Sequence, residues 1–318
     1  MRTIFKRGFC AFLCTMVAIF ACACAKSSTM ESSNLTMGNL LNQGHFALGE
    51  NHTFYLAKQD GIYAYDADTD TERNLVCSYL SVDPSYQFGI AGDLQLYDGK
   101  LFFTLNYALY AVDLENASCE KLVDHALSPR VYDGVLYYYK ESGSLYTYDL
   151  GSRKTSLLSE DIHCFQIYQD SIYYTKDSSI DSSIYKSDLA MRESTKITPT
   201  FGISHEYLLV AEDHIFLGYL TSALYCITDN QVHRITDDNS YAAFISLDDE
   251  NLYYEAPNFI DQQVEVHAWN LSSHEDTIIA TLPVSAFNGY SMQTYLYRGE
   301  NALYHYSEGE LFEKIPLS

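Results

Sequence analysis

The stretch Tyr132-Asp133-Gly134-Val135-Leu136-Tyr137-Tyr138-Tyr139-Lys140, followed by Leu145-Tyr146-Thr147-Tyr148-Asp149, decides the fold. Asp133-Gly134 is a hairpin turn signal, because a type I′ turn needs positive φ. The aromatic runs on either side have no polar alternation, as expected of strands buried on both faces. The second run, apolar-Tyr-x-aromatic-Asp, recurs along the chain. Ile62-Tyr63-Ala64-Tyr65-Asp66 and Leu109-Tyr110-Ala111-Val112-Asp113 match it closely. Looser copies lie at Ile184–Asp188, Leu224–Thr228, Val266–Asn270 and Leu303–Ser307. Seven copies at a spacing of about 40 residues are the mark of a β-propeller. The expected fold is all-β, a single ring of seven four-stranded blades, with six as the alternative count.

Each repeat reads as strands A to D. Strand A ends in a turn such as Tyr97-Asp98-Gly99-Lys100. Strand B is an aromatic pair such as Phe54-Tyr55, Phe102-Phe103 or Tyr173-Tyr174; Tyr295-Leu296-Tyr297 takes this place in the last repeat. Strand C is the repeated motif. Strand D is a short run such as Lys121-Leu122-Val123. On this reading the ring closes by blade packing, and Asn39-Leu40-Leu41 is a candidate for an extra strand on the last blade. Most of the 29 Tyr and 16 Phe are then accounted for as packing between blades.

The N-terminus has a different grammar. Arg2, Lys6 and Arg7 precede an uncharged apolar run from Phe9 to Phe20, which ends in Ala21-Cys22-Ala23-Cys24. A positive start followed by a short apolar run is a signal segment. The ending resembles the bacterial lipobox, which implies a diacylglyceryl group on Cys22 or Cys24 and cleavage just before it. Two acyl chains on one cysteine anchor a protein stably. The expected organisation is a signal peptide at 1–21, a flexible tether at 22–43 and the propeller at 44–318. The address expected is the outer face of a bacterial cell membrane.

The chain carries a formal charge of −23, which becomes −26 once Arg2, Lys6 and Arg7 leave with the signal segment. No Lys/Arg cluster remains in the body, which excludes nucleic acid as a partner. Contact with anionic lipid is then expected through the anchor alone. A basic partner is favoured. Cys77, Cys119, Cys164 and Cys226 are scattered over four repeats without a C-x-x-C pair, so they read as buried apolar residues.

No zinc-protease, serine-hydrolase, Walker or dinucleotide motif is present, and no cofactor or metal is implied. Asp66-Ala67-Asp68-Thr69-Asp70-Thr71-Glu72 opens like a calcium loop. Thr71 stands where that loop needs Gly, and Cys77 where it needs Glu, so it reads as a polar turn.

Loop length points to a face. The longest connections are Ser78–Asp93, Lys176–Ser183 and Ala256–Gln263, all on the side bearing the B–C and D–A connections. Long loops on a rigid scaffold carry binding. Tyr79, Tyr86, Phe88 and Phe259 read as exposed aromatics there. Tyr86, Phe88 and Phe259 are the expected anchors, with Asp181 and Asp261 as polar rim. The expected role is a binding or scaffold propeller for a protein or glycan partner. The rival is a glycan hydrolase or lyase with carboxylates at the channel mouth, for which no catalytic residue can be named.

The strand pair at 136–149 resembles the Tyr-Trp-Thr-Asp propellers of lipoprotein-receptor type, and more closely their bacterial lipoprotein relatives. The resemblance covers residue 44 to the end and implies a propeller; the tetrad itself is absent, and the receptor type has six blades.

Overall fold

A computed structural model describes residues 39–41, 44–140, 143–176, 183–198, 207–211, 213–218, 223–229, 231–236, 243–258, 261, 263–283, 294–307 and 310–317. Cys22 and Cys24 lie outside them. The described residues form strands β1–β27 and one short helix, α1 (Tyr79–Val82). The strands make seven antiparallel sheets: 46–78 (β1–β4), 92–124 (β5–β8), 127–159 (β9–β12), 164–196 (β13–β16), 207–234 (β17–β20), 243–283 (β21–β24) and 294–316 (β25–β27). Six are four-stranded meanders, and the seventh has three strands among the described residues. They form a seven-bladed β-propeller, matching the count of repeats and exceeding the six blades of the receptor type.

Seven hydrophobic clusters hold the ring, one at each junction between blades. Leu94 and Phe103 of the second blade pack with Ala57 and Ile62 of the first. The series continues to the last junction, where Tyr297, Tyr304 and Tyr306 of blade seven pack with Phe46, Phe54 and Tyr65 of blade one. This closing junction also carries Tyr306 Oη donating to Ala57 O at 2.6 Å and Lys314 Nζ at 2.9 Å from Asp70 Oδ2. Closure therefore joins blades face to face, as the complete first repeat implies. Most of the blade strands bury both faces, which is why their sequences lack alternation.

The motif explains itself residue by residue. In β11 (Leu145–Asp149) Leu145 is fully buried, and Tyr148 nearly so. Tyr146 is half-buried: it pairs with Tyr138 of β10 (Val135–Tyr139) and stacks on it at 5.8 Å. Lys140, the first residue after β10, lies 4.7 Å above the Tyr146 ring. Lys58 over Tyr63 and Lys176 over Tyr185 repeat this contact in blades one and four, also just after the second strand. Each such cation–π contact at a partly exposed site contributes about 0.5–1 kcal/mol. The closing Asp caps the next turn. Asp66 Oδ1 accepts the N–H groups of Asp68 and Thr69 at 3.0 Å. Asp113, Asp149, Asp188 and Asn270 accept turn N–H groups in the same way.

The structure corrects the expected layout in several places. In blade seven β25 (Thr294–Arg298) is the innermost strand, because it packs beside β21 (Ala243–Leu247), the innermost strand of blade six. Leu303–Ser307 therefore lies in the second strand, β26 (Ala302–Ser307), not the third. Tyr304 is equivalent to Tyr55, not to Tyr63 or Tyr110: both side chains lie against the glycine that follows their first strand, Gly299 and Gly49. Second and third strands both bury two aromatic faces, so the pattern cannot separate them.

Residues 39–41 form a helical turn rather than a strand, and Asn39 and Leu40, inside the stretch read as tether, are buried. Asn39 accepts the Arg298 N–H at 2.7 Å and donates to Arg298 O at 2.9 Å, clamping the inner strand of blade seven. Gly44, at φ +61, then passes so close to β5 (Gly92–Tyr97) that a Cβ would sit 2.6 Å from Asp93 Cα. Only glycine fits both demands.

Candidate functional site

The connection from β4 (Thr71–Ser78) to β5 is an ordered loop. It starts with α1, whose Tyr79 is fully buried, contrary to the sequence reading. Ala91 N–H donates to Tyr79 Oη at 3.0 Å, so the ring pins both ends of the loop. Tyr86 packs on Tyr79 at 5.1 Å, with its hydroxyl 2.8 Å from Gln59 O and 2.5 Å from Gly89 O. Asp83 accepts from Ser85 N–H and Oγ at 2.9 and 2.6 Å, and these bonds hold its carboxyl below the usual aspartate range. The loop satisfies its polar groups inwardly and turns apolar tips outward.

Three large apolar side chains are the most exposed in the described structure: Phe88 at 80%, Tyr107 at 65% and Leu80 at 62%. All three stand on the loop face over blades one and two. Asn106 Nδ2 lies 3.5 Å from Asp83 Oδ2, and its Oδ1 is 3.9 Å from where a Gly89 Cβ would sit. These contacts bring the Asn106-Tyr107 turn against the Leu80–Phe88 loop. Tyr107 has φ +62, a position that glycine takes more readily, so an exposed aromatic is held there at some cost. The rim is acidic. Burial raises the Tyr86 and Tyr110 phenols; Asp60 adds to the first, and Asp83 and Asp124 add to the second against the opposing Lys121. Lys121 is paired with Asp124 at 2.8 Å.

Of the expected site residues, Phe88 stands fully outward and Tyr86 is half-buried as a strut. Phe259 and Asp181 lie outside the described residues. Asp261 is exposed on the same face, where it accepts from Asn258 Nδ2 at 3.1 Å, and its N–H donates to Asn258 Oδ1 at 3.2 Å. It caps its own turn. The connection expected at Ala256–Gln263 is shorter than read: β22 (Asn251–Asn258) and β23 (Gln263–Asn270) take up half of it. The structure adds Leu80 and Tyr107, which the sequence reading missed. Their signals were an apolar residue in a polar loop and an aromatic in a two-residue turn between strands.

Burial raises two carboxylates, the partly buried Asp93 and the fully buried Glu255. Arg130 Nη1 lies 3.6 Å from Asp93 Oδ1. His305 Nε2 lies 3.4 Å from Glu255 Oε1, and burial pushes Glu255 up to about 8 and His305 down to about 4. Each carboxylate faces a basic side chain, whereas a glycosidase sets two carboxylates across one bond. The acidic turn Asp66–Glu72 is engaged internally: Arg73 Nη2 pairs with Asp66 at 2.5 Å, Lys58 with Glu72 at 2.8 Å and Lys314 with Asp70. Among the described residues, no group of three His, Cys, Asp or Glu side chains could hold a metal ion, and no helix is long and apolar enough to cross a membrane. Of the four body cysteines, all reduced, Cys77, Cys164 and Cys226 are buried as expected and Cys119 is exposed.

No protein-family model matches the chain, and no curated protein matches it. Solved structures do. A chain of a mitotic checkpoint complex superposes with TM-score 0.59 at 12% identity, with 87% of each chain covered. An extracellular domain from B. thetaiotaomicron gives 0.58 at 12% identity, covering 84% of this chain and 37% of that one. The computationally designed Ika8 protein gives 0.53 at 8% identity, covering 85% and 82%. Identities this low show the fold alone, so the chain is placed among β-propellers and no further.

Proposed function

We propose that this protein is a lipid-anchored propeller on the outer face of a bacterial cell membrane. It docks a basic partner protein through the sector of its loop face over blades one and two. The observation that carries the docking is the convergence of Leu80, Phe88 and Tyr107 on one ordered surface. Aromatic anchors with an acidic rim are the anatomy of a binding patch. The anchor rests on the sequence: a charged start, an apolar run and Cys22 or Cys24 after small residues. The acidity of the body supports a basic partner and predicts weaker docking in high salt.

Two experiments test the two halves separately. Changing Cys22 and Cys24 together to Ala should release the protein from the membrane fraction; retention as firm as in wild type overturns the anchor. Changing Leu80, Phe88 and Tyr107 to Ala should abolish co-purification of the partner from native membranes while leaving thermal unfolding intact. Unchanged co-purification overturns the docking surface.

A further inference from the structure

The inner edge of the ring holds a departure from the repeat that is independent of the loop face. Gln95, Arg130 and Gln166 occupy one register on the innermost strands of blades two, three and four. Each pairs with the third residue of its blade's second strand, Phe102, Tyr137 and Tyr173. The two glutamines clamp the next blade. Gln95 Oε1 accepts the Val131 N–H at 3.0 Å, and its Nε2 donates to Pro129 O at 2.8 Å. Gln166 Oε1 accepts the Val210 N–H, and its Nε2 donates to Val210 O at 3.2 Å. Arginine has donors and no acceptor, so Arg130 cannot receive the equivalent N–H, that of Ile167 in β13 (Cys164–Tyr168). Its guanidinium turns back instead. Nη1 donates to Pro129 O at 2.8 Å and lies 3.6 Å from Asp93 Oδ1.

Both contacts are made by Nη1, which leaves the other edge of the planar group, Nε with Nη2. The Arg130 side chain is 7% exposed, and its Nε–H is shut off from solvent with no partner among the described residues. The Tyr139 hydroxyl is in the same condition, and Tyr139 and the Arg130 charge act on each other. Leaving buried donors unpaired is costly. Asp93 does not cancel the charge: Thr104 Oγ1 donates to its Oδ2 at 2.8 Å, and burial raises it above the ordinary aspartate range.

We propose that the Nε–Nη2 edge of Arg130 binds the carboxylate of a small organic acid on the inner strand of blade three. The unpaired groups are donors beside a positive charge, which selects an anionic acceptor. Two parallel N–H groups match the two oxygens of a carboxylate, whereas a halide has one centre to offer them. A phosphate dianion would bring a second negative charge against Asp93. The Tyr139 hydroxyl supplies a further donor.

The test uses the full chain and titration calorimetry with formate, acetate and propionate, with chloride and phosphate at matched ionic strength as controls. Arg130→Gln installs the residue that blades two and four carry in this register, so the fold should hold. Arg130→Lys keeps the charge and removes the fork. Tyr139→Phe removes the hydroxyl alone. The expected result is millimolar binding of at least one carboxylate, weakened about tenfold or more in both Arg130 variants and less in Tyr139→Phe. If neither Arg130 variant folds, Tyr139→Phe alone decides. Absence of carboxylate binding in wild type, chloride or phosphate bound as tightly as the carboxylates, or undiminished binding in the folded variants overturns the proposal.

Discussion

The two faces of the ring are finished differently. On the face of the A–B and C–D turns, the repeat supplies its own closure. Asp66, Asp113, Asp149, Asp188 and Asn270 end the motif in their blades and cap the turn that follows. Acidity there is structural, because each of these side chains accepts backbone N–H groups. The loop face has no such recurrent cap over blades one and two. Its loop turns Tyr79 and Tyr86 inward and leaves Leu80 and Phe88 outside, beside Tyr107. In a repeat protein, what recurs holds the scaffold, and what departs from the repeat is free for recognition.

The largest effect should come from the scaffold between the faces. Tyr138 is fully buried and stacks on Tyr146. Tyr138→Ala should cost about 3–5 kcal/mol in a urea series, as large aromatic truncations do. Tyr146, half-buried under Lys140, should cost less. A Tyr138→Ala loss below about 1 kcal/mol would show that the faces are not held by a close-packed body.

Of similar size is a pH effect at the junction of blades six and seven. Glu255 has its pKa raised from 4.5 to about 8, so the folded protein keeps a proton that the unfolded chain releases. The Glu255 contribution to stability should therefore decline as pH rises from about 4.5 to about 8, offset below about 6.5 by the opposite slope of His305. Glu255→Gln removes this dependence. The gap between variant and wild type should widen in the variant's favour by about 5 kcal/mol across that window. His305 titrates in both proteins and its unfavourable side lies at lower pH, since its pKa is lowered from 6.5 to about 4. Parallel pH profiles would show that Glu255 is ionised in the fold.

Smaller effects separate the faces directly. Tyr107→Gly relieves a positive-φ aromatic and should raise stability by about 0.5–1 kcal/mol while weakening partner binding. A change that leaves binding intact would remove Tyr107 from the docking patch. Asp149→Ala deletes a turn cap and should lower stability slightly without touching that binding. The Asp149 carboxyl is lowered by its bonds from Ser152, so its contribution is present at neutral pH and fades as pH falls through and below the ordinary aspartate range. Thermal scans at pH 7 and at acid pH would check it; equal losses at both would mean that the cap does not act through its charge.

Much of this was legible in the chain. The blade count follows from the motif, and the third strand was placed correctly in six blades, because Leu-Tyr-x-Tyr-Asp joins a buried strand to a capped turn. Blade seven was misread because Leu303-Tyr304-His305-Tyr306 satisfies the same burial demands in a second strand. Tyr79 reads as exposed in the sequence because a four-residue helix gives no period. Asn39-Leu40-Leu41 reads as an addition to the last blade, and the Asn39 amide does clamp that blade at Arg298, 259 residues away; the helical turn it forms has too few residues to show a period.

The most direct test of the docking face is a photo-crosslinking residue placed at position 88, with a second protein carrying it at position 133 on the opposite face. In native membranes, position 88 should give one dominant crosslinked partner, lost in high salt and after Leu80→Ala, while position 133 gives none. The same partner captured at position 133 and not at 88 would contradict the account.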